Sequence, residues 1–206
     1  MLIWRHGRTS WNLADRYQGQ VDIELDAVGI AQAERAAEAL AALQPAAILS
    51  SDLRRAADTA AALGRRTGLR PVLDKALRET YAGDWQGLTM AEIAQRDPVD
   101  FQAWRAGQPV RRGGGELETE VAERALAAIT PAVDRLAPGG LLVVATHGGC
   151  ARVTLGAMLG LQPSDWRLVG GLANCYWSVL EQTGAGWRLT QHNVGSLASE
   201  VLGEER

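Results

Sequence analysis

The chain has 206 residues, 47% of them hydrophobic and 22% charged, with a formal net charge of -3. This is the composition of one globular domain large enough to bury a core. It lacks the basic excess of a nucleic-acid binder, and no apolar run approaches the roughly 20 residues that span a bilayer. Neither nucleic acid nor membrane is therefore expected as a partner.

Cys150 and Cys175 are too few for a disulfide framework, and no secretory leader precedes the first motif, so a reduced cytoplasmic protein is expected. No HExxH, CxxC or carboxylate cluster has ligand spacing, and no metal or other cofactor is expected. Lys75 is the only lysine. That bias, with the high alanine content, reads as genome composition before it reads as chemistry.

The elements follow in chain order. Residues 2–5 form a short apolar strand, followed by the polar loop "HGRTSWNLADRYQGQVDIEL". A helix over 27–43 follows, with Asp26 as N-cap and Ile30, Ala33, Ala37 and Leu40 on one face. "AAILSS" (46–51) is a buried strand, 53–66 a helix closed by Gly68, and "RPVLD" a third short strand. Residues 78–116 are rich in glycine and proline and carry two short helices, 89–96 and 98–106; this segment reads as a cap or lid, not a separate domain. A long helix over 117–136 leads into "GGLLVVATHGG", a buried strand entering a glycine turn, then a helix over 150–160. "NCYWSVLEQ" and "GWRLTQHN" alternate around "TGAG" and form an antiparallel hairpin at the sheet's edge.

Strands alternate with helices, so the expected fold is a single α/β domain over 1–206: a three-layer sandwich with a mostly parallel sheet and an antiparallel C-terminal hairpin. Ligands of such sheets sit beyond the carboxyl ends of the strands. His6 and His147 each end a buried strand and each precedes a glycine, so both fall at that edge. A neutral imidazole is a nucleophile suited to phosphorus, provided cations offset the charge of a phosphate ester. Arg5 lies beside His6, and Arg54 and Arg55 open the helix after the second strand, where backbone N–H groups also point outward.

"RHGRTSWN" resembles the R-H-G-x-T-x-x-N signature of the histidine phosphatase (phosphoglycerate mutase-like) superfamily. The likeness continues in order through "YQGQVDIELDAVGIAQAE", "SSDLRRAADTA", "LRETYAGDWQG", "GGGE" and "ATHGG". Within the superfamily, "SSDLRRAADTAAALGRRTGL", "LRETYAGDWQGLT" and the closing hairpin are most similar to the actinobacterial glucosyl-3-phosphoglycerate phosphatases. The resemblance implies that His6 is the nucleophile that becomes phosphohistidine. It implies that Arg5 and Arg55 bind phosphate, that His147 stabilises the transition state, and that Glu79 protonates the leaving alcohol and then activates water. Asn12 becomes a phosphate contact, Gln18 and Gly19 line the pocket, and Gly148 offers its N–H. For Glu79 this role calls for a pKa raised toward neutrality.

One departure stands out: the family's G-G-E-S reads Gly114-Gly115-Glu116-Leu117 here, which removes a hydroxyl and bears on substrate identity. The expected function is metal-independent hydrolysis of a small phosphomonoester, a sugar phosphate or a compound of the glucosyl-3-phosphoglycerate type. A phosphoglycerate mutase is the alternative, disfavoured by the compact chain and the short tail after Asn193. A non-catalytic phosphoryl-binding module is more remote, since His6 and Glu79 are both present.

Other residues have plainer readings. Trp85, Trp104 and Trp166 are read as packing residues, with Trp85 the best of them for a pocket wall. Cys150 is a small buried residue, His192 a hairpin surface or edge residue, and Arg111–Arg112 a solvated pair, with a lid that greets an anionic substrate as the alternative. The alternating strand over 173–182 could pair across a two-fold axis, leaving a homodimer open.

Overall fold

A computed structural model describes residues 1–196; residues 197–206, with most of the tail after Asn193, lie outside the described residues. The strands are β1 (Leu2–Arg5), β2 (Ala47–Ser50), β3 (Val72–Leu73), β4 (Leu142–Thr146), β5 (Trp177–Thr183) and β6 (Gly186–Val194). They form one sheet in the order β3-β2-β4-β1-β5-β6. The first four are parallel to one another, and β5 and β6 run antiparallel beside β1. The α/β sandwich read from the sequence is the observed fold.

Period-two alternation divides each central strand between two cores. Leu2, Trp4, Ile48, Val143 and Ala145 face α2 (Ala27–Ala41) and α3 (Arg54–Thr67), the second and third helices after the four-residue α1 (Ser10–Leu13). Ile3, Leu49 and Val144 face the opposite layer, α6 (Glu118–Asp134) and α7 (Gly148–Met158). Between the layers in sequence lie α4 (Met90–Arg96) and α5 (Pro98–Arg105), which carry a small core of their own around Trp85 and Ile93.

Two expectations need correction. Ile30 is 54% exposed, and Gly29, Ala33, Ala36, Ala37 and Leu40 make the buried face of α2. The face is rotated because Gly29 meets the backbone of the loop after β1: a Cβ on Gly29 would lie 2.0 Å from the Arg8 carbonyl oxygen, and one on Gly7 would lie 2.4 Å from the Gly29 carbonyl oxygen. The helix thus presses against the loop at Gly7 through two glycines. Secondly, β5 is not an edge strand. It is paired on both sides, to β1 and to β6, so it has no free edge for a two-fold partner; β6 is the edge.

Candidate active site

The loop after β1 is shaped by its own side chains. Thr9 caps α1: its hydroxyl accepts from the Asn12 N–H at 3.2 Å, and the Asn12 carboxamide oxygen accepts from the Thr9 N–H at 3.1 Å. Asn174 donates to the same oxygen at 3.3 Å. The Asn12 oxygen is thus engaged by the protein, and its NH2 group keeps no protein partner among the described residues.

His6 follows β1 directly and is buried. Its Nδ1 lies 2.7 Å from the Gly7 carbonyl oxygen. A carbonyl can only accept, so Nδ1 carries the proton and Nε2 holds the lone pair. Burial, then the charges of Arg55 and Arg5, hold the imidazole well below its ordinary value. It is therefore neutral at physiological pH.

His147, at the end of β4, lies behind it with ring centroids 5.1 Å apart and the rings tilted by 58°. The His147 Nε2 faces the Ser51 hydroxyl at 2.9 Å, while Nδ1 has no partner among the described residues. Burial and Arg55 likewise depress its pKa. His147 is wholly buried and stands behind the cavity wall, not on it.

Arg5 and Arg55 are each anchored by backbone carbonyls. Arg5 donates to Leu172 at 2.6 Å; Arg55 donates to Val21 at 2.8 Å and to Gly19 at 2.7 Å. In both, Nε has no protein acceptor. Burial lowers Arg55 to about 10, against the pull of Glu79 and Asp22. Even so it remains cationic at neutral pH.

Glu79 is drawn in from a distant loop. One carboxylate oxygen, Oε2, accepts from the Gly149 N–H at 2.8 Å; Oε1 accepts from Cys150 at 2.9 Å and Thr80 at 2.8 Å. The first two donors belong to the N-terminal turn of α7, where unpaired N–H groups favour an anion. Here the expectation of a raised pKa is corrected. Burial pushes the carboxyl up, but the N–H groups of Gly149 and Thr80 and the charges of Arg112 and Arg55 outweigh it and hold Glu79 below its ordinary value.

One cavity of ≈ 300 Å³ joins these groups: Arg5, His6, Asn12, Gln18, Gly19, Arg55, Glu79 and Gly148 all line it. The segment 78–116 contributes Met90, Trp104 and Arg112 to the same wall. Trp85 does not reach it. It is fully buried, donates to Asp97 at 2.7 Å and meets Trp104 edge-on, so Trp104 is the tryptophan of this segment that faces the cavity. Trp166 packs in the core beneath α7. Leu117, at the start of α6, borders a neighbouring cavity instead.

Sequence reasoning left out Arg124 and Arg152 and read Arg112 as solvated. Arg112 is buried, contrary to its reading as a solvated residue; it contacts the Tyr17 hydroxyl and pairs with Glu118 at 3.1 Å. Arg111 is exposed and pairs with Glu120. Arg124 on α6 donates to the carbonyls of Ala76, Arg78 and Glu79 and is clamped by Glu116 at 2.8 Å. Glu116 in turn accepts from the Tyr81 N–H at 2.7 Å, so the "GGGE" stretch holds the Glu79 segment in place. Arg152 completes the wall from α7. Only Arg112 gave any signal, as half of an arginine pair in a glycine-rich loop.

The sequence model of the histidine phosphatase superfamily (branch 1) matches residues 1–195. The chain belongs to the histidine phosphatase superfamily. Among its relatives, the glucosyl-3-phosphoglycerate phosphatase of Mycolicibacterium vanbaalenii is 41% identical over 98% of both chains. The metal-independent phosphoserine phosphatase of Arabidopsis thaliana is 36% identical over 74% of this chain and 65% of its own. The solved structure of a mycobacterial glucosyl-3-phosphoglycerate phosphatase with VO3 superposes with a TM-score of 0.89 at 41% identity, covering 95% of this chain and 98% of that one. This histidine phosphatase is an enzyme, a phosphomonoesterase acting on a small phosphorylated substrate. Among its described residues no helix is long and apolar enough to cross a membrane.

Proposed function

We propose that His6 attacks the phosphorus of a phosphomonoester and that water then releases phosphate from the phosphohistidine. The observation that carries this reading is the His6 hydrogen bond to Gly7, which leaves Nε2 unprotonated in a cavity that Arg5, Arg55 and Glu79 share. In the first step the Nε2–P bond forms and the ester P–O bond breaks. Glu79 gives its proton to the departing alkoxide. In the second step Glu79, now a carboxylate, takes a proton from water; the water oxygen bonds to phosphorus and the N–P bond breaks, returning neutral His6.

The protein's own groups hold Glu79 ionised, so it must gain a proton before it can donate one. A phosphate dianion beside it adds negative charge and raises its pKa. Oε2, with one donor against two at Oε1, is the oxygen with room to carry that proton. Arg5, Arg55, the Asn12 amide and the Gly148 N–H surround the phosphoryl oxygens, and His147 supports them from behind His6. Gln18 and Gly19 shape the wall, and 78–116 acts as a cap over it.

For substrate, the similarity over nearly the whole chain supports a glucosyl-3-phosphoglycerate-type ester, with phosphate leaving the glycerate carbon. The test is phosphate release, in the presence of a chelator, from a panel of glucosyl-3-phosphoglycerate, 3-phosphoglycerate, phosphoserine, sugar phosphates and a nitrophenyl ester. Release that survives the chelator and is lost in His6→Ala supports the reading. Interconversion of phosphoglycerates without net phosphate release would replace it with a mutase.

A further inference from the structure

The cavity wall carries a larger positive charge than a phosphate group alone requires. Among the described residues, five arginines face it against two acids, Asp15 and Glu79. Four of the five are committed to protein groups. Arg5 and Arg55 hold backbone carbonyls, Arg112 pairs with Glu118, and Arg16 bonds the Gly87 carbonyl and Glu92. Arg152 makes no hydrogen bond or ion pair with any described residue.

Its position is informative. Arg152 lies four residues after Gly148 on α7. Residues at that spacing lie one above the other on a helix face, about 5–6 Å apart. A ligand whose phosphate sits at the Gly148 N–H therefore has Arg152 roughly one helical turn away along the same wall. Arg152 is close enough to bear on the phosphate site itself: burial is the chief cause of the lowered Arg5 pKa, and the Arg152 charge adds to it.

We propose that Arg152 is a second anion subsite, binding a carboxylate placed one to two carbons from the phosphate ester. The assignment rests on the phosphatase reading above and names the group that selects its substrate. A guanidinium with no protein partner presents its whole fork to a carboxylate, which it binds bidentately. The substrate class is thus a phosphorylated hydroxy acid, and neutral polyol phosphates are poor substrates. A glycosyl group attached between phosphate and carboxylate leaves both anions in place. Nothing in this argument depends on the sugar.

The experiment compares 3-phosphoglycerate with glycerol 3-phosphate, which differ in the carboxylate. Wild type is expected to favour the acid at least tenfold in kcat/KM, mainly through KM. In Arg152→Ala that ratio should fall 10- to 100-fold toward unity, with Arg152→Lys between the two. Binding to His6→Ala, followed by calorimetry, gives a readout without turnover and should show the same preference, lost in the double variant. Equal treatment of the two esters by wild type, or equal loss for both in Arg152→Ala, overturns the subsite. If glycerol 3-phosphate is still hydrolysed through His6 in that case, the phosphatase reading stands while the subsite falls. Hydrolysis that persists in His6→Ala sinks the phosphohistidine route through His6, and the binding comparison then decides the subsite alone.

Discussion

Gly149 donates its N–H to the Glu79 carboxylate at 2.8 Å, and a Cβ on Gly149 would lie 2.5 Å from the other carboxylate oxygen. The second glycine of "THGG" is therefore a seat for Glu79, which comes from a loop some seventy positions earlier in the chain. Gly149→Ala should displace Glu79 while leaving the helix intact. We expect kcat on an alkyl phosphate to drop on the order of 10–100-fold, the size of a misplaced general acid. An unchanged circular dichroism spectrum with unchanged kcat would show that the carboxylate does not need this seat.

The role proposed for Glu79 predicts a split between good leaving groups and poor ones. An alkoxide must be protonated as it departs, whereas nitrophenolate leaves without help. Glu79→Gln is expected to lower kcat/KM for an alkyl ester by about 10²–10³-fold and for the nitrophenyl ester by much less. In the free enzyme this carboxyl lies below its ordinary value of 4.5, so wild-type kcat/KM on alkyl esters should decline as pH rises through the acid range, before neutrality is reached. The variant should lose that decline. A pH profile of the same shape in both would assign the proton to another group.

The buried histidines make stability depend on pH with a definite sign. Burial and the neighbouring arginines hold His6 and His147 well below 6.5 in the folded protein, while the unfolded chain titrates near 6.5. Between those limits the unfolded state binds more protons, so stability is full above about pH 6.5 and falls as pH drops below it. Glu79 and Asp52 are lowered too, and their contribution is lost only further down, below about pH 4.5. The melting temperature should fall between pH 7 and pH 5, and His147→Asn should fall less over that interval. Parallel curves would exclude His147 as a source.

Trp85 and Trp104 touch, yet their substitutions should have opposite signatures. Trp85→Phe removes the indole N–H from Asp97 in a closed core and is expected to cost about 1–3 kcal/mol of stability. Its effect on kcat/KM should stay within about twofold. Trp104→Ala opens the cavity wall and should raise KM several-fold. Denaturant melts and kinetics on both variants check this, and a catalytic defect confined to Trp85→Phe would reverse the assignment.

The legibility of the site follows from how local each contact is. His6 and His147 could be placed from the sequence because short apolar strands and strand–helix alternation put both at the carboxyl edge of one sheet, independent of side-chain detail. The Asp26 cap and the Gly68 stop were readable for the same reason, since each acts within a turn of its own position. Arg5 and Arg55 were placed beside them by the same pattern, and the motif likeness added Glu79. It did not extend to what holds them.

Tertiary structure alone decided that Glu79 is held low, because its three donors come from Thr80 and from the start of a helix far along the chain. It decided that Trp104 and not Trp85 faces the cavity, that Arg112 is buried, and that Arg152 lines the cavity with no partner among the described residues. The face of α2 turned away from Ile30 because the loop at Gly7 needs Gly29 against it. Periodicity records which residues share a face, and the neighbour that the face must meet comes from elsewhere in the chain. The sequence by itself therefore determined the fold and the sheet edge where His6 and His147 lie; packing between distant segments set the charge of Glu79 and the shape of the wall.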